Sequence, residues 1–293
     1  MAAHPVTDPA APQTGRRRFF LSLALCLALL LLRVADLALC TDPATGFVRD
    51  SGFALRLAAP LAAALVNWLL ARKAAPRPAA LLGACPPLGY CLLATGVALG
   101  AAAFLYWGDP LAARRYGVAL VVLFCACGAL SAVWFLRFGV RAFAPLADPT
   151  APLPGTLNTL AGAAFFLCAL VLRFTVEAAS VQRLGCTLRV LSAVMALVFL
   201  LSLFRVFLTP GLPVGKKLYA AGFNAFLFCT CHELPQAAFE WAWGALPLSG
   251  LAAALVFGLL GAAGLVCAFY ASGLAAALPR EEHGGAQTAH KAD

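Results

Sequence analysis

Charged residues make up only 11% of this 293-residue chain, where a soluble domain carries ~25%. With 63% of its residues hydrophobic, the chain lacks the polar groups to cover a water-exposed surface. Lipid must therefore be the solvent for most of it. Also missing are a Gly-rich phosphate loop ending in Lys-Ser/Thr, a His-Glu-x-x-His pair and a Gly-x-Ser-x-Gly elbow. An intramembrane aspartyl protease needs two membrane aspartates, and only Asp36 offers itself. Enzymatic chemistry is thus the least supported class, with no catalytic residue and no cofactor to name.

What is present is one apolar run after another, each near the ~20 residues that a spanning helix needs. The runs are Phe19 to Cys40, Gly52 to Ala71, Pro87 to Trp107, Gly117 to Arg137, Leu157 to Val176, Thr187 to Leu208, Leu218 to Leu234 and Ser249 to Tyr270. They predict an all-α, polytopic transmembrane helical bundle of about eight spans. The expected organisation is a disordered tail over 1–15, a four-helix half over 16–142 and a Pro-rich linker over 143–156. A second four-helix half over 157–279 and a polar tail over 280–293 follow. Arg17-Arg18-Phe19-Phe20-Leu21-Ser22 is similar to a twin-arginine export signal, but a run this long, followed by further spans, reads as a signal anchor.

Punctuation between the runs has physical causes. Asp42-Pro43 and Gly46 supply turn chemistry between spans one and two, and Cys85-Pro86-Pro87 breaks any helix running into span three. Pro210 and Pro213 end span six, and span seven stops near Pro235, leaving Gln236 to Leu246 with Trp241 and Trp243 as a piece at the membrane interface.

The formal charge of +9 belongs to the loops rather than to a nucleic-acid-binding domain, because no soluble basic domain exists. Under eight spans, one side holds Arg16, Arg17, Arg18, Arg72, Lys73, Arg77, Arg141, Lys216, Lys217, Arg280 and Lys291. The other holds Arg49, Arg114, Arg115 and Arg183. The positive-inside rule then puts both termini in the cytoplasm.

Ionisable groups inside spans are costly and are functional candidates by default. Arg33 and Asp36 are three apart and Arg173 and Glu177 four apart, so each pair shares a helix face and can form an ion pair. At ~1.5 Å rise per residue, Arg33 lies about 10 Å from the outer end of its helix. Arg56, Arg173, Glu177, Arg189, His232 and Glu233 also fall in the outer third, whereas Arg137 and Arg205 lie near the cytoplasmic end. Two readings follow. The charges line an outward vestibule for a small polar solute, with Arg33, Asp36, Arg56, Arg173 and Glu177 as its ligand-binding residues. Alternatively, they snorkel to headgroups in a membrane scaffold or sensor subunit.

Most of the 11 cysteines lie within apolar runs, where a thiol behaves as a small hydrophobe. Cys229-Thr230-Cys231-His232-Glu233 gathers three ligand types. Cys229 and Cys231 nevertheless point about 200° apart on a helix, and His4, His283 and His290 lie in the tails. No metal site is expected. Asn67 and Asn224, mid-span, read as interhelical hydrogen-bonding glue.

The run Asp42-Pro43-Ala44-Thr45-Gly46-Phe47-Val48-Arg49-Asp50 resembles a stretch in uncharacterised multi-pass membrane proteins of clostridial-type gut Firmicutes. The layout of Leu172 to Arg205 and of Cys231-His232-Glu233-Leu234-Pro235 is similar there too. That resemblance implies a bacterial cytoplasmic membrane and carries no activity.

Overall fold

The computed structural model describes residues 11–42, 46–48, 52–72, 81, 83–144, 156–176, 184–209 and 212–274. Ten α-helices and one π-helical stretch account for most of them. They are α1 (Ala11–Leu39), α2 (Phe53–Ala71), α3 (Pro86–Trp107), the short α4 (Pro110–Tyr116), α5 (Val118–Arg141), α6 (Thr156–Val176) and α7 (Leu184–Leu208). Then come α8 (Gly215–Ala225), the π stretch (Phe226–Glu233), α9 (Leu234–Ala242) and α10 (Leu248–Ala271). Six of these, α1, α2, α3, α5, α7 and α10, are long and apolar enough to cross a membrane.

Local chemistry sets the boundaries. Helix α3 opens on Pro86, whose missing N–H costs nothing in the first turn and whose fixed φ suits it. The α1–α2 turn is closed by a Thr41–Val48 bridge. It is also closed by Asp42 N–H to the Phe47 carbonyl at 2.9 Å. Gly46 there takes a φ of +69°, the left-handed residue expected of that turn. The side chain of Asp109 accepts from the Ala112 N–H at 3.3 Å at the start of α4.

The expected stop near Pro235 is corrected. Helical backbone continues from Gly215 through the π stretch and Pro235 to Ala242. A proline inside an α-helix removes one bond to residue i−4 and clashes with that carbonyl. Here it follows directly on a run bonded i to i+5, whose wider turn takes up the break. Gln236 to Ala242 is therefore the end of a long rod rather than a separate piece.

Packing relies on small residues and aromatic rings. A Cβ placed on Gly264 of α10 would lie 2.7 Å from the Gly222 carbonyl oxygen of α8, so the two backbones meet with nothing between them. A Cβ on Gly139 of α5 would lie 2.9 Å from the Leu93 backbone nitrogen of α3. Gly162 of α6 sits beneath the indole of Trp134, which stacks on Phe138 at 4.9 Å. Phe135, Phe165, Phe166 and Phe257 are fully buried. The Asn67 amide of α2 donates to the Asn224 side chain of α8 at 3.2 Å, so the two mid-span amides serve each other across helices. Helix α10 packs along both α3 and α8, so the stretches before and after the Pro-rich linker share one core. Linker residues 145–155 lie outside the described residues.

The close approach at Gly264 predicts a steric effect. Gly264→Ala should lower stability by about 1–3 kcal/mol, seen as a drop in the melting temperature of the detergent-purified protein. Gly100→Ala, where a Cβ meets nothing within 4 Å, should be neutral or slightly stabilising. Equal responses would remove the packing explanation.

Candidate functional site

Most of the charges within the long helices gather at the end of the bundle where α1, α3, α6 and α9 finish and α2, α5, α7 and α10 begin, whereas Arg137 and Arg205 lie towards the far ends of α5 and α7. The gathered charges form two clusters joined through the 215–242 rod.

The first cluster is centred on Asp36 of α1. Arg33 Nη1 donates to Asp36 Oδ2 at 2.6 Å, the i, i+3 pair that the spacing predicts. Arg56 Nε of α2 donates to Asp36 Oδ1 at 2.5 Å. One carboxylate thus holds two guanidiniums and staples α1 to α2. Arg33 is only 6% exposed, and its Nη2 reaches across to the Gln236 side-chain oxygen of α9. It therefore does not snorkel to the surface.

The second cluster is centred on Glu233, the last residue of the π stretch and 1% exposed. Both its oxygens accept from Arg173 of α6, through Nη1 at 3.1 Å and through Nη2. The Ser192 hydroxyl of α7 also contacts it. Arg173 Nη1 further donates to the Arg189 carbonyl at 2.7 Å and to Ser192 Oγ at 3.0 Å. The Arg173 guanidinium lies over the Phe257 ring, 4.0 Å from its centroid, which adds a cation–π attraction in a desolvated setting.

Gln236 and Glu240 link the clusters. Gln236 Nε2 donates to Glu240 Oε1 at 2.6 Å, and Arg189 Nη2 donates to Glu240 Oε2. The path therefore runs Arg56, Asp36, Arg33, Gln236, Glu240, Arg189, and the Arg189 carbonyl closes onto Arg173 and Glu233.

Of the residues singled out in the sequence, Arg33, Asp36 and Arg56 come together. Arg173 stands apart from them, and Glu177 lies outside the described residues. Arg173 instead engages Glu233, 60 positions away. Gln236, Glu240 and Ser192 were missed, and Arg189 and Glu233 were noted as membrane charges without a role. A signal for three of them was present. Glu233, Gln236 and Glu240 fall at i, i+3 and i+7, one stripe of a helix, but only if the helix continues through Pro235.

The residues of the ligand-type string turn to separate partners. Cys229 Sγ donates to the Ser192 carbonyl at 3.3 Å. His232 Nδ1 lies 2.9 Å from the Leu227 carbonyl, five residues back. Glu233 goes to Arg173. No group of three or more metal-ligand side chains converges among the described residues. Cys40 is a free thiol.

Beside the second cluster lies a cavity of about 260 Å³. One wall presents Arg173, Arg189 and Glu233. Most of the rest is apolar, with Val121, Phe124, Phe165, Ala169, Leu172, Ala253 and Phe257. Asp109 and Ser249 form a second polar point, joined by a 2.7 Å bond from Ser249 Oγ. An apolar cavity of ~150 Å³ already holds benzene, so this space is large enough for a small organic molecule. Arg33, Asp36 and Arg56 do not line it.

Comparison with protein-family models, with curated proteins and with solved structures finds no match to this chain.

The bridging position of Asp36 carries a prediction. Asp36→Asn strands two guanidiniums and should cost about 3–5 kcal/mol, read as a lowered melting temperature in detergent. Adding Arg33→Leu should recover part of that loss, because one unpaired buried charge is removed. Strict additivity of the two changes would contradict the coupling.

Proposed function

We propose that this chain crosses a bacterial cytoplasmic membrane eight times, with both termini inside, and binds a small solute from the extracytoplasmic side. The eight rods are the six long apolar helices, α6 with 21 residues and the 215–242 rod. An even number of crossings returns the chain to its starting side. The distribution of Arg and Lys among the loops favours that side being the cytoplasm. The short resemblance at Asp42 to Asp50 is what suggests a bacterial membrane.

The cavity carries the functional reading. Its apolar lining, with a few convergent polar groups at one wall, is the usual make-up of a small-molecule site, and it lies at the end assigned to the outside. Such a lining suits a solute with an apolar body and one polar end better than a fully polar one. The Arg33–Asp36–Arg56 cluster fits the rival reading, in which intramembrane charges serve structure. Its two guanidiniums share the Asp36 carboxylate, and its members are absent from the cavity wall. We therefore assign binding to the Arg173, Arg189 and Glu233 wall and structural support to the Asp36 cluster.

A thermal-shift panel of inorganic ions, amino acids, nucleosides, sugars, lipids and small carboxylates and amides tests this on the purified protein. A bound solute at 100 times its Kd should stabilise the wild type by ~2.7 kcal/mol. Ala253→Trp, which fills the cavity from α10, should stay folded and lose that response. A panel in which only lipid shifts the wild type, or in which the filled variant responds equally, would overturn the assignment.

A further inference from the structure

Glu233 faces donors that can serve it in either protonation state. The Ser192 hydroxyl contacts the Glu233 carboxylate and also lies 2.8 Å from the Arg189 carbonyl oxygen. A hydroxyl has one proton to donate, so Ser192 serves one acceptor at a time. With Glu233 ionised, Ser192 donates to it, and the Arg189 carbonyl is served by Arg173 Nη1 at 2.7 Å. With Glu233 protonated, its own O–H donates to Ser192 Oγ, and Ser192 turns its proton to the Arg189 carbonyl. The same heavy atoms satisfy both states, and only a hydroxyl rotor moves. Protonating the acid of a buried ion pair strands its partner's charge. Here the stranded charge, Arg173, is in the cavity wall.

An anion entering beside the ionised Glu233 would place two negative charges on one guanidinium in a poorly solvated site, which is costly. Uptake of one proton by Glu233 keeps the charge of the site unchanged. The apolar surface formed by Phe124, Phe165 and Phe257 faces the same space and suits an apolar body attached to that anion.

We infer that the ligand of this cavity is a small apolar monocarboxylate that binds together with one proton. The ligand carboxylate takes the Arg173 guanidinium, the proton passes from water to Glu233, and Ser192 turns to the Arg189 carbonyl. This rests on the reading of the cavity as a solute site.

Other charged groups near Glu233 are already engaged. From α1 and α2 these are Arg33, Asp36 and Arg56, joined in their own cluster. From α7 and α9 they are Arg189 and Glu240, paired with each other. On its own stretch Cys229 and His232 bond backbone carbonyls. Lys216, Lys217 and Tyr219 of α8, and Cys267 and Tyr270 of α10, belong to the other end of the bundle. Asp109, across the cavity, is held by Ser249.

Isothermal titration calorimetry on the full chain in detergent tests the inference, with phenylacetate and octanoate as probes and phenylacetamide as the neutral control. Titrations at one pH in phosphate and in Tris, whose ionisation heats differ, count the protons taken up. The expected result is carboxylate binding with about one proton per ligand, and a Kd that rises towards ~tenfold per pH unit on the alkaline side. Glu233→Gln, a fixed mimic of the protonated acid, should bind phenylacetate with no buffer dependence. The two-buffer comparison on the wild type stands even if that variant fails to fold. Carboxylate binding without proton uptake would overturn the proton link and leave the cavity as a site. Binding of phenylacetamide but of neither acid would overturn the ligand class alone. No binding of any probe overturns the inference, and a silent thermal-shift panel as well would take the solute reading with it.

Discussion

Hydrocarbon offers no water to a charged side chain, so every ion placed in it must find its counter-charge within the protein. That constraint organises one end of this bundle. Four arginines and three carboxylates, drawn from α1, α2, α6, α7 and the 215–242 rod, are joined by hydrogen bonds into one path. The rod is central because Glu233, Gln236 and Glu240 lie on one of its faces and meet a different helix in turn. Without that stripe, the Asp36 staple and the Arg173 pair would be unrelated features.

The π stretch is what makes the stripe possible. Proline at position 235 would normally end or kink the helix. The i to i+5 register just before it lets the backbone run on to Ala242, carrying Gln236 and Glu240 to Arg33 and Arg189. The His232 ring bonds the carbonyl five residues back, so its side chain follows the same widened turn. π-helical segments are rare and often lie at functional sites, and this one ends on the carboxylate at the cavity wall.

Much of this architecture was legible in the sequence, and the gaps have physical reasons. Apolar run lengths located the long helices, Gly46 and Pro86 marked turns by their backbone chemistry, and the i, i+3 spacing gave the Arg33–Asp36 pair. Asn67 and Asn224 were recognisable because a mid-span amide needs a partner. Contacts decided by tertiary packing were hidden. Arg173 had a local candidate at i+4, yet its bidentate acceptor comes from 60 positions away. Gln236 and Glu240 were obscured because Pro235 reads as a stop. The cavity is walled by α3, α4, α5, α6, α7, α10 and the 215–242 rod, and no single segment announces it. Two groups that the sequence ran together, the ion pairs at Asp36 and the polar cavity wall at Arg173, separate only once the helices are packed.

Access to the cavity from outside the cell is the central claim, and cysteine labelling reads it directly. Ala253→Cys would be expressed with Cys40 and Cys186 replaced by serine, and intact cells treated with a membrane-impermeant maleimide. Lys217→Cys, at the opposite end of the bundle, serves as the reference. Position 253 is expected to label in intact cells, and position 217 only after the membrane is opened. Labelling of position 217 from outside, or of position 253 only in opened cells, would contradict it.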